Sequence, residues 1–304
     1  MPPDLVIGVD LGGTKIAVGA IDRKGAITAR SESPTPVSSQ EGLLAALDDT
    51  VEQTAQQVGG VAALGFGIPS TIDQRAGRAV DSVHVPLADL DFRARMADRF
   101  GLPVAIDNDG NAAAIAEWKL GAGRGASHIV ALTLGTGIGG GLILDGRPYR
   151  GSVGAGAELG HMVVQVDGPP CGGMCPGRGH FEALASGSAA DAVARSALSG
   201  DATARDLVRL ARDGDARARE ALAGLGGILG AGIGSLVNIF NPELVVIGGG
   251  FGDAGDLLFD PARERLAQEA LSPGRELVRI VPAQLGPDAG LIGAGLIAFE
   301  ALDG

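Results

Sequence analysis

Four side chains that bind transition metals crowd one short stretch: His161, Cys171, Cys175 and His180, spaced His-x9-Cys-x3-Cys-x4-His. Two thiolates and two imidazoles fill a closed tetrahedral zinc shell, and the chain's only two cysteines both fall in it. The intervening Gly-Gly-Met and Pro-Gly-Arg-Gly segments turn tightly, as a metal loop requires. The competing reading is two unrelated thiols beside a surface histidine. A second constellation lies at the N-terminus, Asp10-Leu-Gly12-Gly13-Thr14-Lys15. Its glycines would let backbone N–H groups approach phosphate oxygens, with Thr14 and Lys15 adding a hydroxyl donor and a cation. Asp10, at a strand end, could hold Mg²⁺ or its waters. A plain hairpin turn with glycines at positive φ would carry the same residues.

Two more glycine loops follow, Gly135-Thr136-Gly137-Ile-Gly139-Gly140 and Gly248-Gly249-Gly250-Phe251-Gly252. The first fits the dinucleotide fingerprint GxGxxG, but that fingerprint needs a helix opening in the loop. Here Gly141-Leu-Ile-Leu-Asp-Gly reads as a strand and a turn, so the Rossmann reading fails on context. Three such loops point to a nucleoside triphosphate site contributed by Asp10, Gly12, Gly13, Thr14, Lys15, Gly135, Thr136, Gly137, Gly249 and Gly250. Between the loops, Asn108-Asp109 stands at a strand-to-helix junction. A carboxylate there can accept a proton from an attacking hydroxyl, although Asn and Asp are also favoured helix caps. Asp107 competes for the role.

The elements that must position these groups alternate β and α. Strands are expected at Leu5–Val9, Ile16–Ile21, 61–68, Val104–Ile106, Ile129–Leu134, Leu142–Leu144 and Leu244–Ile247. Helices are expected over about 40–58, 91–100, 109–120, 214–239, 260–271 and 289–301. The 135–140 segment reads as a glycine turn, and 120–126 as flexible enough for a hinge or domain crossing. Leu11-Gly12 aligns with Leu134-Gly135, and Ala20-Ile21-Asp22 with Ile143-Leu144-Asp145. That is a weak repeat of strand, glycine turn and strand. The expectation is an α/β fold of two related domains. The first is a small one over 1–121, joined by the C-terminal helix 289–304. The second is a larger one over 122–288 that carries the metal loop.

A chain of 304 residues exceeds what one core usually covers. Its composition, 45% hydrophobic and 20% charged, is that of a globular protein. A net charge of −12 without a basic cluster disfavours nucleic-acid binding. No uninterrupted apolar run approaches the roughly 20 residues of a membrane span. The N-terminus, with Asp4 and Asp10, does not read as a signal peptide. A cytoplasmic protein without membrane partners is expected, as a homo-oligomer (dimer or tetramer).

Asp10-Leu-Gly-Gly-Thr-Lys15, Asn108-Asp-Gly-Asn-Ala-Ala-Ala114, Leu134-Gly-Thr-Gly-Ile-Gly-Gly-Gly141 and Glu158-Leu-Gly-His161 together resemble the ROK family of repressors, open reading frames and kinases. The resemblance runs nearly end to end, in the family's order and spacing. It implies a two-domain actin-like ATPase (hexokinase-type, ribonuclease H-like) fold with a cleft between the domains that closes on the sugar. It also implies ATP as phosphoryl donor, a hexose or hexosamine acceptor and a structural zinc. By the same resemblance Asp109 is the general base toward the sugar's 6-hydroxyl, and Asn108 bonds a neighbouring hydroxyl. Glu158, His161 and Glu182 complete the sugar site, His161 serving both metal and sugar. The chain departs from the family's Cys-x-Cys-x4-Cys. Cys175 and His180 take the last two positions, with His for Cys, while Cys171 stands two residues off the first.

An ATP-dependent hexose kinase, most like a glucokinase, is the expectation. N-acetylglucosamine, N-acetylmannosamine, fructose or allose are alternative acceptors, and polyphosphate is an alternative donor. A sugar-sensing, non-catalytic member is the competing class. Its DNA-binding form carries a helix-turn-helix ahead of the first strand, which here begins at Leu5. Ser70 stands where many family kinases have Gly, and His84 belongs to no motif.

Overall fold

The computed structural model describes residues 5–82, 84–173, 175–198 and 200–303. Asp4, part of the N-terminal reading, and Met174, inside the metal loop, lie outside them.

The chain divides into two compact units. The first unit's sheet comprises β1 (Leu5–Leu11), β2 (Lys15–Asp22), β3 (Ile27–Pro34), β4 (Leu64–Ile68) and, closing this half, β7 (Val104–Asn108). Between β3 and β4 runs α1 (Gln40–Ala55). Between β4 and β7 lie the small hairpin β5 (Thr71–Asp73) and β6 (Arg78–Asp81), then α2 (Phe92–Phe100). The strand order is β3-β2-β1-β4-β7. β1 to β3 form an antiparallel meander, while β4 and β7 join in parallel through crossover helices. The parallel strands read as unbroken apolar runs because both faces are covered: β4, LGFGI, is buried throughout. α3 (Asp109–Leu120) starts directly at the end of β7.

The second unit repeats the plan. β8 (Ile129–Leu134), β9 (Ile138–Leu144), β10 (Arg147–Tyr149), β11 (Leu244–Gly248) and β12 (Arg279–Pro282) stand in the order β10-β9-β8-β11-β12. Position by position this is the order of the first sheet. The short repeat visible in the sequence is thus the first hairpin of a five-strand repeat. Its helices are α4 (Phe181–Ala185), α5 (Gly187–Leu198), α6 (Ala204–Arg212), α7 (Ala216–Phe240), α8 (Asp256–Glu269) and α9 (Gly274–Leu277). The chain ends on α10 (Ala289–Asp303), which packs on the first unit. A Cβ at Gly65 of β4 would run into the Ala294 carbonyl, so a bare backbone is what lets α10 lie this close.

Several expectations change. Residues 148–157 belong with the first unit, so the unit boundary falls inside β10; the first unit comprises 1–124, 148–157 and 287–304, the second 125–147 and 158–286. The cause is polar: Val153 O accepts from Gln74 N at 2.7 Å, and Arg150 pairs with Asp107. The 135–140 glycines are not all turn. β9 starts at Ile138, and Gly139 and Gly140 lie within it, packed against Thr133 and Leu159. Residues 121–125 form a bonded turn, with Gly121 N and Gly123 N both donating to Glu117 O. α8 begins at Asp256, ahead of the expected start near 260, and Pro261 sits inside it. β3, β5, β6, β10, β12, α4, α5, α6 and α9 went unread; β5, β6, β10, β12, α4 and α9 are only three to five residues long, too short to show a period. α7, at 25 residues, is long and apolar enough to cross a membrane, against the expectation of no such run. Its Leu222, Leu225, Leu229, Ile233 and Val237 are buried in the second unit's core.

Candidate active site

In the first unit the parallel strands deliver their carboxyl ends together. Asp10 pairs in register with Gly67 of β4, and Gly67 with Asp107 of β7. This is where open α/β sheets bind ligands. Asn108 caps α3: its Oδ1 accepts from Gly110 N at 2.9 Å and from Asn111 N at 3.3 Å. The capping role is therefore real, and it falls to Asn108, leaving its Nδ2 as the donor. Asp107 is fully buried and spent on structure. Its Oδ2 accepts from Arg150 Nε at 2.6 Å, and its Oδ1 from Asn108 N at 2.8 Å and Asn111 Nδ2 at 3.0 Å.

Asp109 is the carboxylate left over. Its Oδ1 accepts from Gly110 N at 2.9 Å, while the residue keeps part of its surface open. Burial of the carboxyl raises its pKa, opposed by the Gly110 amide and by His84. Asp10 is raised from 3.8 to about 6, first by burial and then by the charge of Asp109, against the pull of Lys15 and Arg30. A buried carboxylate that feels the charge of a second one is a setting in which a hard dication is welcome. Lys15, at the exposed start of β2, pairs with Glu32 at 3.0 Å.

The first glycine turn is held from below, since Thr35 Oγ1 donates to Gly12 O at 2.7 Å and Thr35 N to Thr14 O at 3.0 Å. Neither Gly12 nor Gly13 has a positive φ, and a Cβ at Gly13 would meet nothing nearer than His84 at 3.9 Å. The fold itself does not demand glycine at 13. The hairpin-turn reading, which rests on positive φ, loses its basis there.

The second unit holds a cavity of about 810 Å³. It is lined by Gly135 and Thr136 of the β8–β9 turn, Gly187, Ser188 and Asp191 of α5, and Thr203 to Asp213 along α6. Gly250 to Ala254 after β11 close the lining. Its size suits a nucleotide. Gly135 and Gly250 lack a positive φ, and a side chain on either would meet nothing within 4 Å. These glycines leave space at the cavity wall. Gly249 differs: its φ is +83°, and a Cβ there would press on Leu134. The loop is pinned to β8 by Phe251 N donating to Leu134 O at 2.9 Å. Sequence reasoning missed Asp191, Thr203, Arg205, Arg209 and Arg212, because nothing local distinguishes them from a solvated helix face.

The four metal-binding side chains converge, with their ligand atoms all within 4.8 Å of one another. His161 Nδ1 lies 3.2 Å from His180 Nδ1, 3.7 Å from Cys171 Sγ and 3.7 Å from Cys175 Sγ; Cys175 Sγ lies 3.6 Å from His180 Nδ1. Cys171, off the family spacing, is brought in by its N–H donating to Gly177 O at 2.9 Å across the loop. Burial, then Cys175 and Glu182, push the Cys171 thiol up to about 12, the direction that a bound cation reverses. Both histidines turn Nδ1 inward, which leaves the His161 Nε2 for another partner.

Glu182, in the first turn of α4, accepts at Oε2 from Ile138 N at 2.8 Å. Glu158 is exposed, opening the short turn that carries His161. Ser70 is buried, its hydroxyl 2.8 Å from Asp81 O and 3.0 Å from Thr71 O, and so supports the β5–β6 hairpin. His84 is exposed beside Gly13.

The chain matches the ROK family over residues 6–301. It is 37% identical to a glucokinase of Thermotoga maritima over the whole of both chains. It is 34% identical to a glucokinase of Streptomyces coelicolor, over 97% of this chain and 98% of that one. A ROK family glucokinase from Streptomyces griseus, solved in complex with glucose and AMPPNP, superposes with a TM-score of 0.86 at 33% identity. That match covers 97% of this chain and 99% of the other. The doubled sheet order described above is the actin-like, hexokinase-type fold of these proteins, and the chain belongs to the ROK family.

Proposed function

We propose that this protein transfers the γ-phosphoryl group of ATP to the 6-hydroxyl of a hexose, with glucose as the substrate. The observation that carries the reading is the division of labour at the end of β7. Asp107 is consumed by Arg150, Asn108 by the helix cap, and Asp109 alone keeps a carboxylate for an incoming hydroxyl. Full-length likeness to glucokinases supports the choice of acceptor.

Asp109 accepts the proton of the acceptor hydroxyl as its oxygen forms a bond to the γ-phosphorus and the bond to the β,γ-bridging oxygen breaks, releasing ADP. Asn108 Nδ2, Glu158 and the His161 Nε2 bond sugar hydroxyls. The open glycines at 13, 135 and 250 let backbone N–H groups meet phosphate oxygens. Asp10 would hold Mg²⁺ or its waters, which would supply charge neutralisation for the phosphates.

The metal cluster fits zinc. With metal–nitrogen bonds of about 2.0–2.1 Å and metal–sulfur bonds of about 2.3 Å, a regular tetrahedron has N–N edges near ~3.3 Å and N–S edges near ~3.6 Å. The separations of 3.2 Å and of 3.6–3.7 Å match. Four protein ligands leave no open position, so the ion would be structural, fixing the loop that carries His161.

Asp109→Asn tests the reading. We expect turnover on glucose to fall by about 10²–10⁴ with sugar binding retained. Near wild-type kcat would reject Asp109 as the base. The wild type, assayed across several hexoses with ATP and polyphosphate, fixes acceptor and donor, and no phosphorylation of any would favour a sugar sensor.

A further inference from the structure

Register in the first sheet gathers charge around Asp10. Side chains alternate along β1, so Gly8 and Asp10 share a face, and cross-strand pairing extends it. Gly8 pairs with Gly19 and Asp10 with Ala17 of β2, which pair in turn with Arg30 and Glu32 of β3. α10 covers this face, since a Cβ at Gly8 would strike the Leu291 carbonyl. Asp10 meets the first turn of α10: a Cβ at Gly290 would come within 2.8 Å of its carboxyl carbon. Arg30 joins that helix start to the sheet. Its Nη1 donates to Asp288 Oδ1 at 2.6 Å, just ahead of Gly290. Its Nε and Nη2 donate to Glu32 Oε1 at 2.9 Å and 2.6 Å. The same oxygen accepts from Lys15 Nζ at 3.0 Å. One guanidinium therefore ties down both charged residues of the first glycine loop, Lys15 through Glu32 and Asp10 through the start of α10.

We propose that Arg30 is a positioning residue for the metal-bound nucleotide: by clamping Asp288 and Glu32 together it sets where the Asp10 carboxylate meets Mg²⁺. The inference rests on the kinase reading, in which Asp10 holds Mg²⁺ or its waters. A lysine cannot replace Arg30, because an ammonium lacks the planar fork that reaches two carboxylates at once. Charge and position predict opposite signs. A cation repels a nearby dication, so loss of Arg30 would tighten Mg²⁺ binding by charge alone and weaken it by lost position.

The test measures binding of a non-hydrolysable ATP analogue by calorimetry, with Mg²⁺ and with EDTA, and glucose binding separately. Arg30→Met should weaken analogue binding in Mg²⁺ about fivefold or more, the scale of two half-exposed ion pairs lost together, with EDTA and glucose values within about twofold of wild type. Arg30→Lys keeps the charge and loses the fork, so it should weaken Mg²⁺-dependent binding by about threefold. It decides the matter if Arg30→Met fails to fold. Equal or tighter binding in Mg²⁺ by folded Arg30→Met overturns the proposal, and so does an Arg30→Lys equal to wild type. An equal loss with and without Mg²⁺ would make Arg30 a phosphate contact and overturns it as well. A wild type that binds the analogue no better in Mg²⁺ than in EDTA overturns the magnesium reading of Asp10, and the inference with it. Failure of the wild type to bind the analogue at all would overturn the kinase reading itself, a separate outcome.

Discussion

At the residue scale, the chain spends stability to keep charge where chemistry needs it. Asp10 titrates near about 6 instead of 3.8, because burial and the Asp109 charge disfavour its ionised form. A folded pKa above the unfolded one contributes stability below about pH 4, and this contribution is lost as pH rises through about 6. Ionised Asp10 is therefore a cost at neutral pH, of roughly 2–3 kcal/mol for a shift of this size. We expect Asp10→Asn to cripple turnover yet unfold at higher urea than wild type at pH 7.5, with the advantage vanishing by about pH 4. A variant no more stable than wild type at pH 7.5 would show that Asp10 is not held against its own ionisation. Asp109 is raised in the same direction, so the rate should fall on acidification as the base is protonated.

At the element scale, the decisive contact is Asp107 to Arg150. It joins the end of β7 to the 148–157 segment, far away in sequence. Asp107 is 1% exposed, so its charge depends on the guanidinium and on two hydrogen bonds. Removing the partner of a buried charge costs up to about 3–5 kcal/mol, because the charge stays behind unpaired. Arg150→Met should lose that much in urea unfolding. Adding Asp107→Asn to it should recover part of the loss. A loss under about 1 kcal/mol would mean that water reaches Asp107. The glycines that abut α10 obey a different constraint, close approach of backbones, and serve packing alone.

At the scale of the whole molecule, the loop carrying His161, Cys171, Cys175 and His180 lies between β10 and α4 in a fold whose two sheets repeat one order. We expect elemental analysis to find about one zinc per chain. Chelation should lower the melting temperature by several degrees, at about 2–4 °C per kcal/mol for a chain of this class. Cys171→Ser should drop zinc below about half an equivalent, because under the zinc reading its sulfur is the fourth ligand. Full zinc in that variant would remove Cys171 from the shell.

The sequence by itself carried the ligand types and their order, the glycine loops, the Asn-Asp junction and the alternation of β and α. These are legible because metal ligation, close backbone approach and helix capping each demand particular residues at short spacing. It also carried the start of the internal repeat. What it could not carry were choices made by distant partners. Asp107, Asn108 and Asp109 are adjacent and chemically interchangeable until Arg150 claims the first and the α3 amides claim the second. Cys171 stood off register until its N–H reached Gly177 O. Nothing local marked the helices lining the large cavity as part of a site, and Glu182 acquired its amide partner only when α4 came to rest beside β9. Burial and long-range hydrogen bonds depend on which segments meet, and spacing along the chain does not encode that.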